Sequence, residues 1–124
     1  MTADGDIRLS EDSHFAVAAH PETTSEGTVC LTRHPTAAMH ETVLFPVTAA
    51  QRNGLEDLRL VRFEEDGEPP VYYGTYTAFS GTAIASELLV TRDFQRFEMH
   101  PLSGPAAGGK GMALFPRRID GAYR

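Results

Sequence analysis

The residues best suited to chemistry in this chain lie in the run Gly54-Leu55-Glu56-Asp57-Leu58-Arg59. Asp57 and Arg59 are two apart, so on a strand they share a face and lie side by side. A carboxyl group at the start of a strand, next to a fixed guanidinium, suits proton donation or hydrogen bonding at the mouth of a pocket. The same spacing describes a structural Asp–Arg pair that fastens a turn, and spacing alone favours that plainer role.

Two other segments carry suitable groups. In Val71-Tyr72-Tyr73-Gly74-Thr75-Tyr76-Thr77-Ala78-Phe79, alternation puts Tyr73, Thr75 and Thr77 on one face and Tyr72, Gly74, Tyr76 and Ala78 on the other. Aromatic rings beside hydroxyls suit a sugar, whose C–H face stacks on a ring while its polar edge meets hydroxyls. The plainer account is a half-buried central strand. The run Gly104-Pro105-Ala106-Ala107-Gly108-Gly109-Lys110-Gly111 follows a phosphate loop through its lysine. It then has Gly111 where a magnesium-holding Ser or Thr belongs, and the strand-like stretch after it opens no helix. A nucleotide loop is therefore excluded, which leaves a Gly-rich loop presenting Lys110 to an anion or to solvent.

Metal and thiol chemistry find no support. Histidines 14, 20, 34, 40 and 100 show no ligand spacing, and Cys30 is the only cysteine. A lone cysteine in an apolar stretch reads as structural. It forms no internal disulfide, which fits a reducing compartment.

The elements that must position these groups read as strands. Residues 14–19, 28–32, 42–47, 58–63, 71–79, 84–91, 94–100 and 112–119 are short runs rich in β-branched or aromatic residues. No 3.6-residue apolar period is sustained, and 8 prolines and 11 glycines interrupt the longer stretches. Glu65-Asp66-Gly67-Glu68 is a hairpin signal, and Ser80-Gly81 and Thr91-Arg92-Asp93 bound the next two strands. The fold expected is all-β, an antiparallel meander of the kind found in sandwiches, barrels and propeller blades. The tripeptide Leu-Phe-Pro recurs at residues 44–46 and 114–116, a faint echo of a repeat. Asp120-Gly121 is a further hairpin signal, but only Ala122, Tyr123 and Arg124 follow it. A strand over residues 112–119 would then lack a partner, and truncation of a longer protein is the simplest explanation.

Composition sets the outer bounds. The chain has 124 residues, 41% hydrophobic and 23% charged, with a formal net charge of −6. That is one small soluble domain. Net negative charge disfavours nucleic acid and anionic membrane surfaces as partners. Residues 1–10 lack the apolar core of a signal peptide, and no apolar run is long enough to span a membrane. The chain reads as cytoplasmic.

Taken in order, GLEDLRLVRFEEDG, VYYGTYTAFSG, LLVTRDFQRFEMHPLSG and KGMALFPRRIDGAYR resemble the glycoside hydrolase family 130 proteins, which include β-mannoside phosphorylases and some β-mannosidases. The likeness runs over residues 43–124, while residues 1–42, read as N-terminal strands, match loosely. It implies that residues 43–124 are the first part of a five-bladed β-propeller catalytic domain, one to two blades, cut at its C-terminal end. It further implies cleavage of β-mannosidic bonds with inversion, by phosphorolysis to mannose 1-phosphate or by hydrolysis. Inorganic phosphate would be a co-substrate, with no organic cofactor and no metal. By the same resemblance Asp57 is the general acid, Arg59, Tyr76 and Thr77 meet the sugar, and Lys110 belongs to a phosphate cradle. The partners implied are a β-mannoside oligosaccharide and phosphate, in a full-length protein compatible with oligomerisation; the isolated chain is expected to be inactive. A non-catalytic sugar-binding β-module is the reading from a different class.

Overall fold

A computed structural model describes residues 16–17, 19–24 and 27–124, with side chains described from residue 24 onward. Among the described residues eight strands follow in order: β1 (Ala16–Val17), β2 (Ala19–Thr23), β3 (Val29–Thr32), β4 (Thr42–Val43), β5 (Gly54–Phe63), β6 (Val71–Phe79), β7 (Ile84–Thr91) and β8 (Arg96–Pro101). Two single-turn 3₁₀ segments, Met39–Glu41 and Ala49–Gln51, are the only helical elements among the described residues.

β2, β3, β8, β7, β6 and β5 form one open antiparallel sheet in that order, and β1 pairs with β4 in a separate parallel ribbon. The all-β antiparallel expectation therefore holds. β5 to β8 run as an up-and-down meander because each connection carries its own turn chemistry. Gly67, at φ 83°, and the Glu68 N–H bonded to Glu65 O at 3.1 Å turn β5 into β6. Ser80 Oγ accepts the N–H groups of Thr82 and Ala83 to turn β6 into β7. Asp93 Oδ1 accepts those of Gln95 and Arg96 at 2.8 and 3.0 Å between β7 and β8. These two backbone donors hold the Asp93 carboxyl below the usual carboxylate range.

The residues alternate between two faces. Val29, Leu31, Tyr76, Ala78, Leu89, Phe97 and Met99 form the buried core on one, with Leu44, Leu55 and Phe94 packed against it. This face is called the groove face below. The opposite, sealed face carries Val61, Phe63, Tyr73, Thr75 and Thr77, and residues 107–124 fold back over it.

Three sequence expectations need correction. Residues 112–119 are not a strand. They run irregularly over the sealed face, tied by Thr75 Oγ1 to Met112 O at 2.6 Å and by Glu64 N to Pro116 O at 3.3 Å. The unpaired edge expected there does not exist, because side chains and backbone of the sheet satisfy the segment instead. Residues 42–47 are strand only at Thr42–Val43, since Pro46 and the turn at Ala49–Gln51 break the extension. Residues 14–19 fall partly outside the described residues, and the described part is split between β1 and β2. The Asp120-Gly121 signal does form its turn, with φ of 51° and 73° and mutual bonds between Ile119 and Ala122 at 3.0 Å.

Candidate functional site

β5 is an edge strand, and Glu56, Asp57, Leu58, Arg59 and Leu60 form an exposed run along it. Pairing to β6 goes from Glu56↔Thr77 directly to Arg59↔Thr75, so Asp57 and Leu58 together oppose Tyr76 in a β-bulge. Asp57 takes φ 58°, a left-handed conformation that a short polar side chain tolerates better than most. The extra residue resets the alternation: Asp57 and Leu58 both border the groove face, whereas Arg59 turns to the sealed face with Val61 and Phe63. The expected side-by-side Asp57–Arg59 arrangement is thus overturned, and the two groups flank the open edge from opposite faces.

On the groove face an apolar channel of about 490 Å³ runs beside Asp57. Its walls are the sheet, through Leu58, Leu60, Leu89 and Phe97, and the segment around Val43 and Leu44. Leu58 and Leu60 remain 52% and 43% exposed despite their apolar character. Both lean over Gly74, where an added Cβ would lie 2.6 Å from Leu58 Cδ1 and 3.1 Å from Leu60 Cδ1.

A buried polar cluster fastens the far wall. Glu87, 4% exposed, accepts at Oε2 from Tyr76 Oη at 2.5 Å and from Gln51 Nε2 at 2.6 Å. Gln51 Oε1 in turn accepts the N–H groups of Val47 and Thr48 at 2.9 and 3.3 Å. Residues 47–51 are held down onto the sheet through this chain of bonds. Burial, and then the Glu87 carboxylate, push the Tyr76 hydroxyl far above the ordinary tyrosine range. Tyr76 therefore offers the groove its ring while its hydroxyl is committed to Glu87.

The remaining expected site residues lie on the sealed face. Arg59 Nη1 donates to Gly111 O at 2.5 Å, and Ser86 Oγ donates to Gly109 O at 2.7 Å. Lys110, exposed, is presented between these two anchored glycines, and no helix follows the loop. Thr77 is only 1% exposed and pairs across the sheet with Ser86 and Glu56. Arg59, Thr77 and Lys110 thus gather on one face and Asp57 and Tyr76 on the other.

Sequence reasoning missed the Gln51–Glu87 pair. The signal was present: in Ala85, Glu87 and Leu89 a carboxylate occupies an inward position of an otherwise apolar alternation. It also missed a cluster of Phe63, Tyr73 and Tyr123 rings at the other end of β5, with centroids 5.2 to 5.9 Å apart. Burial, followed by the contact with Tyr123, pushes the Tyr73 hydroxyl up to about 12. Among the described residues, no group of three or more His, Cys, Asp and Glu side chains converges to hold a metal. No helix among them is long and apolar enough to cross a membrane. The chain matches no protein-family model, no curated protein and no solved structure.

Proposed function

We propose that this chain carries the proton-donor side of a carbohydrate-processing active site, acting on β-mannosidic bonds with inversion. The observation that carries the reading is Asp57 itself: an acid in a left-handed conformation at a bulge, on the open edge of a sheet. Strained backbone of this kind persists where the surroundings enforce it, and it concentrates at functional sites. In phosphorolysis a phosphate oxygen bonds to the anomeric carbon as the glycosidic C–O bond breaks. Its electron pair goes to the leaving oxygen, which takes the Asp57 proton and departs as an alcohol, giving mannose 1-phosphate. Phosphate is its own anionic nucleophile, so the step needs cations rather than a second carboxylate. Arg59 and Lys110, held together by the Gly111 anchor, supply them. Tyr76 and Thr77 act as packed support for the edge rather than as direct sugar contacts.

The meander from β5 to β8 supports reading the sheet as one blade of a five-bladed propeller, with β5 innermost. In a cytoplasmic full-length protein, further blades complete the cradle, and the 124 residues alone turn over no mannoside. Hydrolysis by the same acid is distinguished by its product, free mannose released without phosphate dependence. The separation of Asp57 from Lys110 across the sheet favours a second reading, a sugar-binding module without turnover. The test is mannose 1-phosphate formation from an aryl β-mannoside and phosphate by the full-length protein. Asp57→Asn is expected to lower turnover by about a hundredfold or more. Near-normal turnover in that variant removes Asp57 from the mechanism.

A further inference from the structure

We infer that the groove beside Asp57 is a binding site for an amphipathic monocation, an aromatic or branched apolar body carrying one ammonium group. The walls set the body. Leu44, Leu58, Leu60, Leu89, Phe97 and Met99 enclose about 490 Å³, within the range of small-molecule pockets and larger than a single aromatic ring requires. Two of these leucines stand about half exposed on a sheet whose other large apolar residues are mostly covered. Burying them is the largest gain a ligand here can collect.

The charges set the head group. Among the described residues, Asp57 is the ionisable group that the bulge turns to the groove, apart from the committed Tyr76 hydroxyl. Glu56 borders the rim but pairs with Thr77 of the other face, and no described lysine, arginine or histidine lines the groove. The bulge brings Asp57 to the same rim as Leu58, so the acidic end and the apolar wall belong to adjacent residues. Arg59, the nearest cation in sequence, is withdrawn to the other face and bonded to Gly111. A neutral ligand would leave this acidic end unused, and an anion would be repelled by it. The site shares Asp57 with the proposed catalytic reading without resting on it, because binding in the groove requires no sugar and no phosphate.

The test uses three naphthalene probes of one shape: 1-naphthylmethylamine, 1-naphthylmethanol and 1-naphthoate. The chain has no tryptophan, so naphthalene emission reports binding directly. The amine is expected to bind most tightly and the carboxylate weakest, with a gap of about tenfold that shrinks as salt is added. Glu56→Gln with Asp57→Asn should bring the amine down to the alcohol. Leu58→Ser with Leu60→Ser, at exposed positions, should weaken all three probes together while unfolding stays cooperative. Equal affinity for the three probes, an amine preference that survives loss of both carboxylates, or no saturable binding would each overturn the assignment. Mannoside turnover is read separately, so its absence leaves this result intact.

Discussion

The two faces of the sheet are built from the same strands and closed in opposite ways. The sealed face is covered by the chain's own residues 107–124, and polar sheet residues do the fastening: Thr75, Ser86 and Arg59 each donate to a backbone carbonyl of that segment. The groove face carries the denser apolar cluster, yet among the described residues its cover is fastened at the far wall, through Glu87 and the bonds of Arg52 and Asn53 to β6 and its turn, and stops short of Leu58 and Leu60. Hydrogen bonds spread along residues 107–124 leave the smaller cavity, about 270 Å³ beside Phe63, Tyr73 and Tyr123, against about 490 Å³ on the groove face. The incomplete closure leaves a cavity beside the one acid on the edge whose backbone is strained.

The groove face should be the more sensitive to truncation. Phe97→Ala removes a ring that is 2% exposed and packed against Phe94, and is expected to cost about 3–5 kcal/mol in chemical denaturation. A smaller effect belongs to the far wall. Glu87→Ala leaves the Tyr76 hydroxyl buried without its acceptor and the Gln51 amide with its longer bond to Tyr76 Oη, at 3.3 Å, and should cost about 2–3 kcal/mol. Hydrogen exchange at the Val47 and Thr48 amides should then quicken, whereas unchanged exchange there would show that the carboxylate does not hold the wall. On the sealed face, Thr75→Val loses one of several fastenings and should cost only about 1 kcal/mol. A cost equal to that of Glu87→Ala would erase the contrast between the faces.

The smallest expected effect is a pH dependence of the sealed face. Tyr73 is pushed up to about 12 in the folded protein, against about 10 for an unfolded tyrosine. The folded state then binds the proton more tightly, so this contribution is whole below about pH 10 and is lost as pH rises from there through about 12. Tyr76 acts in the same direction, so Tyr73→Phe should flatten the alkaline fall in Tm without abolishing it. An unchanged alkaline slope would mean that Tyr73 is not shielded as described.

Much of the fold could be read from residue order. β6 and β7 coincide with the runs at 71–79 and 84–91, because alternation and Gly-containing turn signals act over a few residues and agree with each other. The fate of residues 112–119 was not legible. An apolar run with strand-like composition becomes a cover when its carbonyls meet donors that lie tens of residues away. The pairing of β3 with β8 is hidden for the same reason. The candidate site divided similarly: Asp57 could be picked out by type, but its bulge could not, since nothing in Glu56-Asp57-Leu58-Arg59 marks where the alternation slips. That one residue of slippage turned an expected pair into two groups on opposite faces.

The most direct test of the account is turnover of an aryl β-mannoside with phosphate by the full-length protein, comparing the native sequence with Asp57→Asn. The account predicts mannose 1-phosphate from the native sequence and a loss of about a hundredfold or more in the variant, with the sheet's thermal unfolding unchanged. Equal turnover in both, or no product from either, would contradict the claim that the strained acid at the edge of β5 is a proton donor.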